Sequence, residues 1–297
     1  MEADKMFGRS VGAWIAAAGV PALLFVVGVP AGDAAPPGRR LADMPADKAQ
    51  SNVDVELVLA VDVSYSMDPE EQVLQRDGYR EALVSPDFLN ALRQGMHGRV
   101  AITYVEWAGA SDQRVIVPWR LVDGAASAQA AADEIGRQFL RRAARTSVSG
   151  ALLYSAGLFD RSGFRGIRRV IDVSGDGTNN QGQLVDVARD EVVAKGITIN
   201  GLPIMLKRPS LNSVDIDDLD VYYEDCVIGG PGAFVVPIRE REKFKEAIRT
   251  KLVLEIAGRT PEARVVPASG REPRISCTIG ERMWQQRWGG RGYDDFN

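Results

Sequence analysis

The chain has 297 residues, 45% of them hydrophobic and 26% charged. That balance is ordinary for a globular protein and excludes wholesale disorder and a polytopic membrane protein. The 36 basic and 40 acidic residues leave a net charge of −4, which gives no electrostatic reason to expect nucleic acid as the main partner. A single histidine, His97, excludes a metal centre that needs two. Two cysteines, Cys226 and Cys277, exclude a four-cysteine zinc or iron–sulfur site.

In chain order, Val11 to Val29 is nearly all apolar or small, Arg9 precedes it, and the small-residue run Ala31–Ala35 follows. This reads as a secretory signal over residues 1–35, cleaved near Ala34 or Ala35. A retained membrane anchor is the other reading, and the only one that involves a membrane. Both place the remainder outside the cytoplasm: in the periplasm, at the cell surface or secreted. There Cys226 and Cys277 are free to pair, with two separate thiols as the alternative. Residues 36–52 are polar and proline-rich and read as a linker.

From Val53 the pattern changes. Val53–Val63 is a strand-length aliphatic run suited to burial on both faces. Asp68-Pro69-Glu70-Glu71 then carries an N-cap, a proline for the first helical position and first-turn acids. A helix to about Leu83 follows, continued by Pro86–Arg93. Strands are expected at Arg99–Trp107 and Gln113–Val117, and helices at Ala125–Leu140 and Ser149–Phe159. A strand at Arg169–Val173, a helix at Gln183–Ala194 and a strand at Ile197–Met205 come next. A last strand at Ala233–Val236 and a last helix at Glu240–Ile256 complete the series. Strands alternating with helices imply an α/β fold, a doubly wound and mostly parallel sheet. The short gap between the second and third strands predicts one antiparallel edge strand. Residues 258–297 lose periodicity and read as a flexible or wrapping tail.

In such a sheet, sites form beyond the carboxyl ends of the strands. The first strand ends in Asp62-Val63-Ser64-Tyr65-Ser66, the loop before the fourth helix holds Thr146, and the Arg169 strand runs into Ser174-Gly175-Asp176-Gly177. Two carboxylates and three hydroxyls on one rim suit a hard cation, Mg²⁺ or Mn²⁺, with octahedral oxygen ligands at about 2.1 Å. A first shell dominated by hydroxyls leaves the ion electrophilic, so that an external carboxylate can complete its coordination.

The set Asp62, Ser64, Ser66, Thr146 and Asp176 resembles the metal-ion-dependent adhesion site of the von Willebrand factor type A domain, and the resemblance covers about residues 53–257. It implies Ser64 and Ser66 as direct ligands, Thr146 as a ligand in the ligand-engaged state, and Asp62 and Asp176 acting largely through water. It also implies a protein partner presenting an acidic side chain. The last loop reads Ser-Gly-Asp-Gly where that family usually has Thr-Asp-Gly, and the aspartate is kept. The segments Tyr222–Phe234 and Lys251–Ile256 look like an exported bacterial subfamily of this domain that is itself catalogued as of unknown function.

Other features have plainer readings. Asp172–Gly177 begins like a calcium loop of EF-hand type, but Gln183 stands at the twelfth position, where that loop needs a bidentate glutamate, and a strand rather than a helix precedes it. Asp215, Asp217, Asp218 and Asp220 read as a solvated helix start rather than a second metal site. Asp68 reads as a helix cap, His97 as an exposed turn residue without a catalytic role, and Asn200-Gly201 as a bulge. The tryptophans of Met283–Arg291 read as packing back on the domain rather than stacking on nucleic acid. The chain lacks a Gly-x-Ser-x-Gly elbow, a phosphate loop and a dinucleotide fingerprint. A binding module rather than an enzyme is therefore expected, with a metal-assisted hydrolase or phosphatase, or a metal-free scaffold of the same fold, as the alternatives.

Overall fold

The computed structural model describes residues 51–206, 216–258 and 273–288. The expected signal segment and nearly all of the expected linker lie outside them. Strand β1 (Ser51–Asp62) is central in a five-stranded sheet of order β3-β2-β1-β4-β5. It pairs in parallel with β2 (Val100–Trp107) and with β4 (Phe164–Gly175), and β4 pairs in parallel with β5 (Ile197–Pro203). The edge strand β3 (Gln113–Val122) runs antiparallel to β2.

Every residue of β1 from Val53 to Asp62 is buried, because helices cover both faces of the sheet. Leu57 and Leu59 share one core with Tyr79 and Leu83 of α1 (Pro69–Leu83), Phe88 of α2 (Pro86–Arg93), Ile135 of α3 (Ala125–Gly136) and Ile248 of α7 (Phe244–Ala257). Val58 and Ala60 point the other way. They join Leu152 of α4 (Val148–Leu158), Val192 of α5 (Val185–Ala194) and Tyr222 of the short α6 (Leu219–Tyr222). Asp68 caps α1 as expected: its carboxylate accepts from Glu71 N at 2.8 Å, and the Glu71 carboxylate accepts from Asp68 N at 2.9 Å.

The structure corrects several boundaries. Helix α3 stops at Gly136, short of Leu140. Ala233–Val236 is not a strand: Val235 makes only an isolated bridge to Gly201. Gly201 sits in unbroken β4–β5 register and is no bulge. A Cβ there would lie 2.7 Å from the Tyr223 ring, so close packing is what requires the glycine. His97 is half-buried rather than exposed, and its N–H donates to Asp54 Oδ1 at 2.9 Å. Asp218 precedes α6 and Asp220 pairs with Arg239 at 2.7 Å, in keeping with a solvated helix start. Asp215 lies outside the described residues.

The described part of the tail, residues 273–288, is tied to the rest of the chain. Cys226 and Cys277 form a disulfide, and Arg274 pairs with Glu224 at 2.6 Å and Asp225 at 2.8 Å. Ile275 and Ile279 pack on the second core, and α8 (Ile279–Trp288) follows.

One charged group lies deep in the first layer. Lys251 of α7 is fully buried, and its Nζ pairs with Asp172 Oδ1 and Glu255 Oε1. Tyr79 donates to Asp172 at 3.2 Å and Asn200 to Glu255 at 3.2 Å. Burial and the nearby Asp172 raise the Glu255 carboxyl to about 7.

Candidate metal centre

Parallel pairing places the carboxyl ends of β1 and β4 side by side, with Val61 opposite Ser174. Asp62 therefore stands next to the loop that carries Asp176. Asp62 Oδ1 accepts from Ser64 N at 2.7 Å, which turns the chain back on itself. Ser64 Oγ lies 2.7 Å from Ser66 Oγ, and Ser66 Oγ donates to Asp176 Oδ1 at 2.6 Å. Four of the five expected residues thus form one continuous polar chain across two loops.

Thr146 reaches the same rim from a third loop. Arg145, just before it, has φ of 73°, the only positive value at a non-glycine among the described residues, and such local strain is found where a side chain is held for a purpose. Thr146 N donates to Asn180 Oδ1 at 3.1 Å and Asn180 N donates to the Thr146 carbonyl at 2.9 Å. The Thr146 hydroxyl would lie 3.7 Å from a Cβ at Gly177, beside Asp176. Asn179 Oδ1 accepts from Ser149 N at 3.0 Å, tying the Asp176 loop to the start of α4.

The site is largely withdrawn from solvent: Asp62 is fully buried and Asp176 only 7% exposed. Asp62 Oδ2 has no hydrogen-bond partner, and neither has the buried hydroxyl of Tyr223. A Cβ at Gly175 would sit 2.9 Å from the first and 3.0 Å from the second, so this glycine makes room for both. Burial, and then the negative charge of Asp176, push the Asp62 carboxyl well above the usual carboxylate range. A divalent cation reverses that imbalance. No group of three His, Cys, Asp or Glu side chains gathers among the described residues. Two carboxylates with neighbouring hydroxyls are an all-oxygen donor set, the chemistry that would fit a hard divalent cation. Tyr223, Asn179 and Asn180 escape the sequence reading. The Gly-Thr-Asn-Asn run after Asp176 is the one signal that points to any of them.

Residues 52–260 match the family described as a protein of unknown function, DUF1194. The chain belongs to this family. No curated protein matches it. Among solved structures, the DUF1194 chain is similar to proximal thread matrix protein 1 from the mussel byssus, with 13% identity and a TM-score of 0.52 over 70% of this chain and 49% of that one. It is similar to the pilus adhesin SpaC of Lactobacillus rhamnosus GG, with 11% identity and a TM-score of 0.51 over 70% of this chain and 32% of that one. A von Willebrand factor type A protein from Catenulispora acidiphila gives 18% identity and a TM-score of 0.48, over 69% of this chain and 43% of that one. The DUF1194 chain thus spans about half or less of each. A mostly parallel sheet with one antiparallel edge and helices on both faces is the fold that this chain shares with the first two of these structures.

Proposed function

We propose that this protein is an exported, metal-ion-dependent binding module of adhesion type, working in the periplasm or at the cell surface and not as an enzyme. Asp62, Ser64, Ser66, Thr146 and Asp176 hold Mg²⁺ or Mn²⁺. The bound ion offers a Lewis-acidic position to the carboxylate of a protein partner. Asp62 fixes the turn that aims Ser64, Ser66 links the two loops through Asp176, and Thr146 stands where a loop movement alters its reach. The observation that carries this reading is the buried, unpartnered Asp62 Oδ2 at the head of a chain of hydroxyls. Such an oxygen is expensive to maintain unless something positive binds near it. The names of two proteins of similar fold, a pilus adhesin and a thread matrix protein, agree with an adhesive role.

Calorimetric titration with Mg²⁺ and Mn²⁺ tests the proposal. Saturable binding is expected in the wild type and its loss in Asp176→Ala. No binding of either ion, with or without glutamate in solution, would overturn the reading. Thr146→Ala is expected to weaken Mg²⁺-dependent uptake of glutamate about tenfold while reducing metal affinity less, since one hydroxyl among several oxygen ligands is lost. Equal losses of both would contradict the role given to Thr146.

A further inference from the structure

Two arginine–aromatic stacks flank the three loops of the candidate metal centre. The Arg142 guanidinium lies 5.3 Å from the ring centroid of Tyr65, the residue between Ser64 and Ser66. The Arg145 guanidinium lies 3.5 Å from the Trp284 ring, and Arg145 directly precedes Thr146. Tyr65 is 61% exposed, an unusual position for an aromatic side chain with no structural task.

Both arginines stand on one stiff segment. Buried Arg76 pairs with Glu106 and donates to the carbonyls of Gln138 and Phe139. Arg141 bridges Glu106 at 3.1 Å and Asp112 at 2.8 Å. Tyr65 N donates to the Ala143 carbonyl at 2.9 Å, and Ala143 N to the Val63 carbonyl at 3.0 Å. Arg142 also donates to the Tyr65 carbonyl at 2.6 Å. On the far side α8 brings in Trp284. Its Glu281 accepts from Asn179 at 2.7 Å, and any Cβ at Gly280 would collide with the Asn179 carbonyl.

Arg141 is neutralised by Glu106 and Asp112. Arg142, in contrast, has no carboxylate partner among the described residues. Stacking on Tyr65 holds the Arg142 guanidinium plane in place and leaves its edge for contact with a carboxylate. We propose that Arg142, flanked by the Arg145–Trp284 stack, forms a cationic docking rim beside the metal, so that the partner is a peptide segment with several neighbouring acidic side chains, one directed to the metal and another to Arg142. This deepens the function proposed above and rests on it.

Two synthetic peptides test it, Gly-Glu-Glu-Glu-Gly and Gly-Gly-Glu-Gly-Gly, each titrated into the Mg²⁺-loaded protein at low and high salt. The triacidic peptide is expected to bind at least tenfold tighter, beyond the roughly threefold statistical advantage of three carboxylates, with the difference shrinking as salt screens the rim. Arg142→Glu is expected to remove that advantage, with Mg²⁺ affinity and binding of the monoacidic peptide changing by a much smaller factor. Trp284→Ala, which leaves the sheet untouched, is expected to reduce it severalfold. Equal affinities for the two peptides, with Mg²⁺-dependent binding of both, would overturn the rim alone. If neither peptide responds to Mg²⁺, the binding-module reading fails and the rim falls with it. An advantage that survives Arg142→Glu would also refute the proposal.

Discussion

Lys251→Met is expected to lower the free energy of unfolding by about 3–5 kcal/mol, the usual effect of removing one partner from a buried ion pair. Among the described residues, Lys251 is the only cation paired with the Asp172 and Glu255 carboxylates, both almost wholly buried. Without it, two carboxylates face each other with only Tyr79 and Asn200 as donors. The loss is read from the urea midpoint and should be smaller at acidic pH, where the carboxyls can take up protons. An unchanged midpoint would mean that the network bears no structural load.

The same cluster predicts a pH dependence with a definite sign. Glu255 lies at about 7 in the folded protein against an ordinary value of 4.5, so the folded state binds the proton more tightly. The contribution to stability is therefore present at acidic pH and is lost as pH rises from about 4.5 towards about 7, on the order of 3 kcal/mol at most. Glu255→Gln is expected to flatten the unfolding profile across that window.

The second large effect is a crossing. Asp62→Asn is expected to stabilise the metal-free protein by about 1–2 kcal/mol, because it replaces a buried carboxylate whose Oδ2 has no partner. The amide oxygen keeps the hydrogen bond from Ser64 N. The same variant is expected to lose Mg²⁺ binding at least a hundredfold. Metal at 100 times its Kd adds about 2.7 kcal/mol to the wild type. In EDTA the variant should melt higher, and in saturating Mg²⁺ the wild type should. Parallel melting curves in both conditions would remove Asp62 from the metal centre.

Much of this could be read along the chain. The run Val53–Val63 announces a central strand because burial on both faces demands continuous apolarity, and Asp68 with Glu71 announces the helix that follows. The edge strand is longer than its apolar part, since β3 runs on past Val117 through exposed Pro118 and Arg120 to Val122. The first half of β4 is missed for the same reason, its exposed Arg165, Ile167 and Arg169 alternating with half-buried positions. Helix α8 has little apolar stripe of its own; it is held by a disulfide, an arginine pair and a close glycine contact, none of which periodicity can reveal. At the candidate site the Asp-x-Ser-x-Ser segment, Thr146 and Asp176 stand out because each ends a strand or opens a helix. Tyr223, Asn179 and the Lys251 cluster do not, because their partners lie many residues away and only the folded sheet brings them together.

The link between Cys226 and Cys277 also sets an order of assembly. The bond joins residues 51 positions apart, and the helix it anchors touches the chain at Arg145 and Asn179. A chain made from its N-terminus completes the sheet and the three loops before α8 exists. Thiols remain reduced in a mesophilic cytosol, so in the exported role proposed above they pair after export. The last wall of the proposed rim would then be closed by oxidation, and the surface offered to a partner finished only where that partner is met.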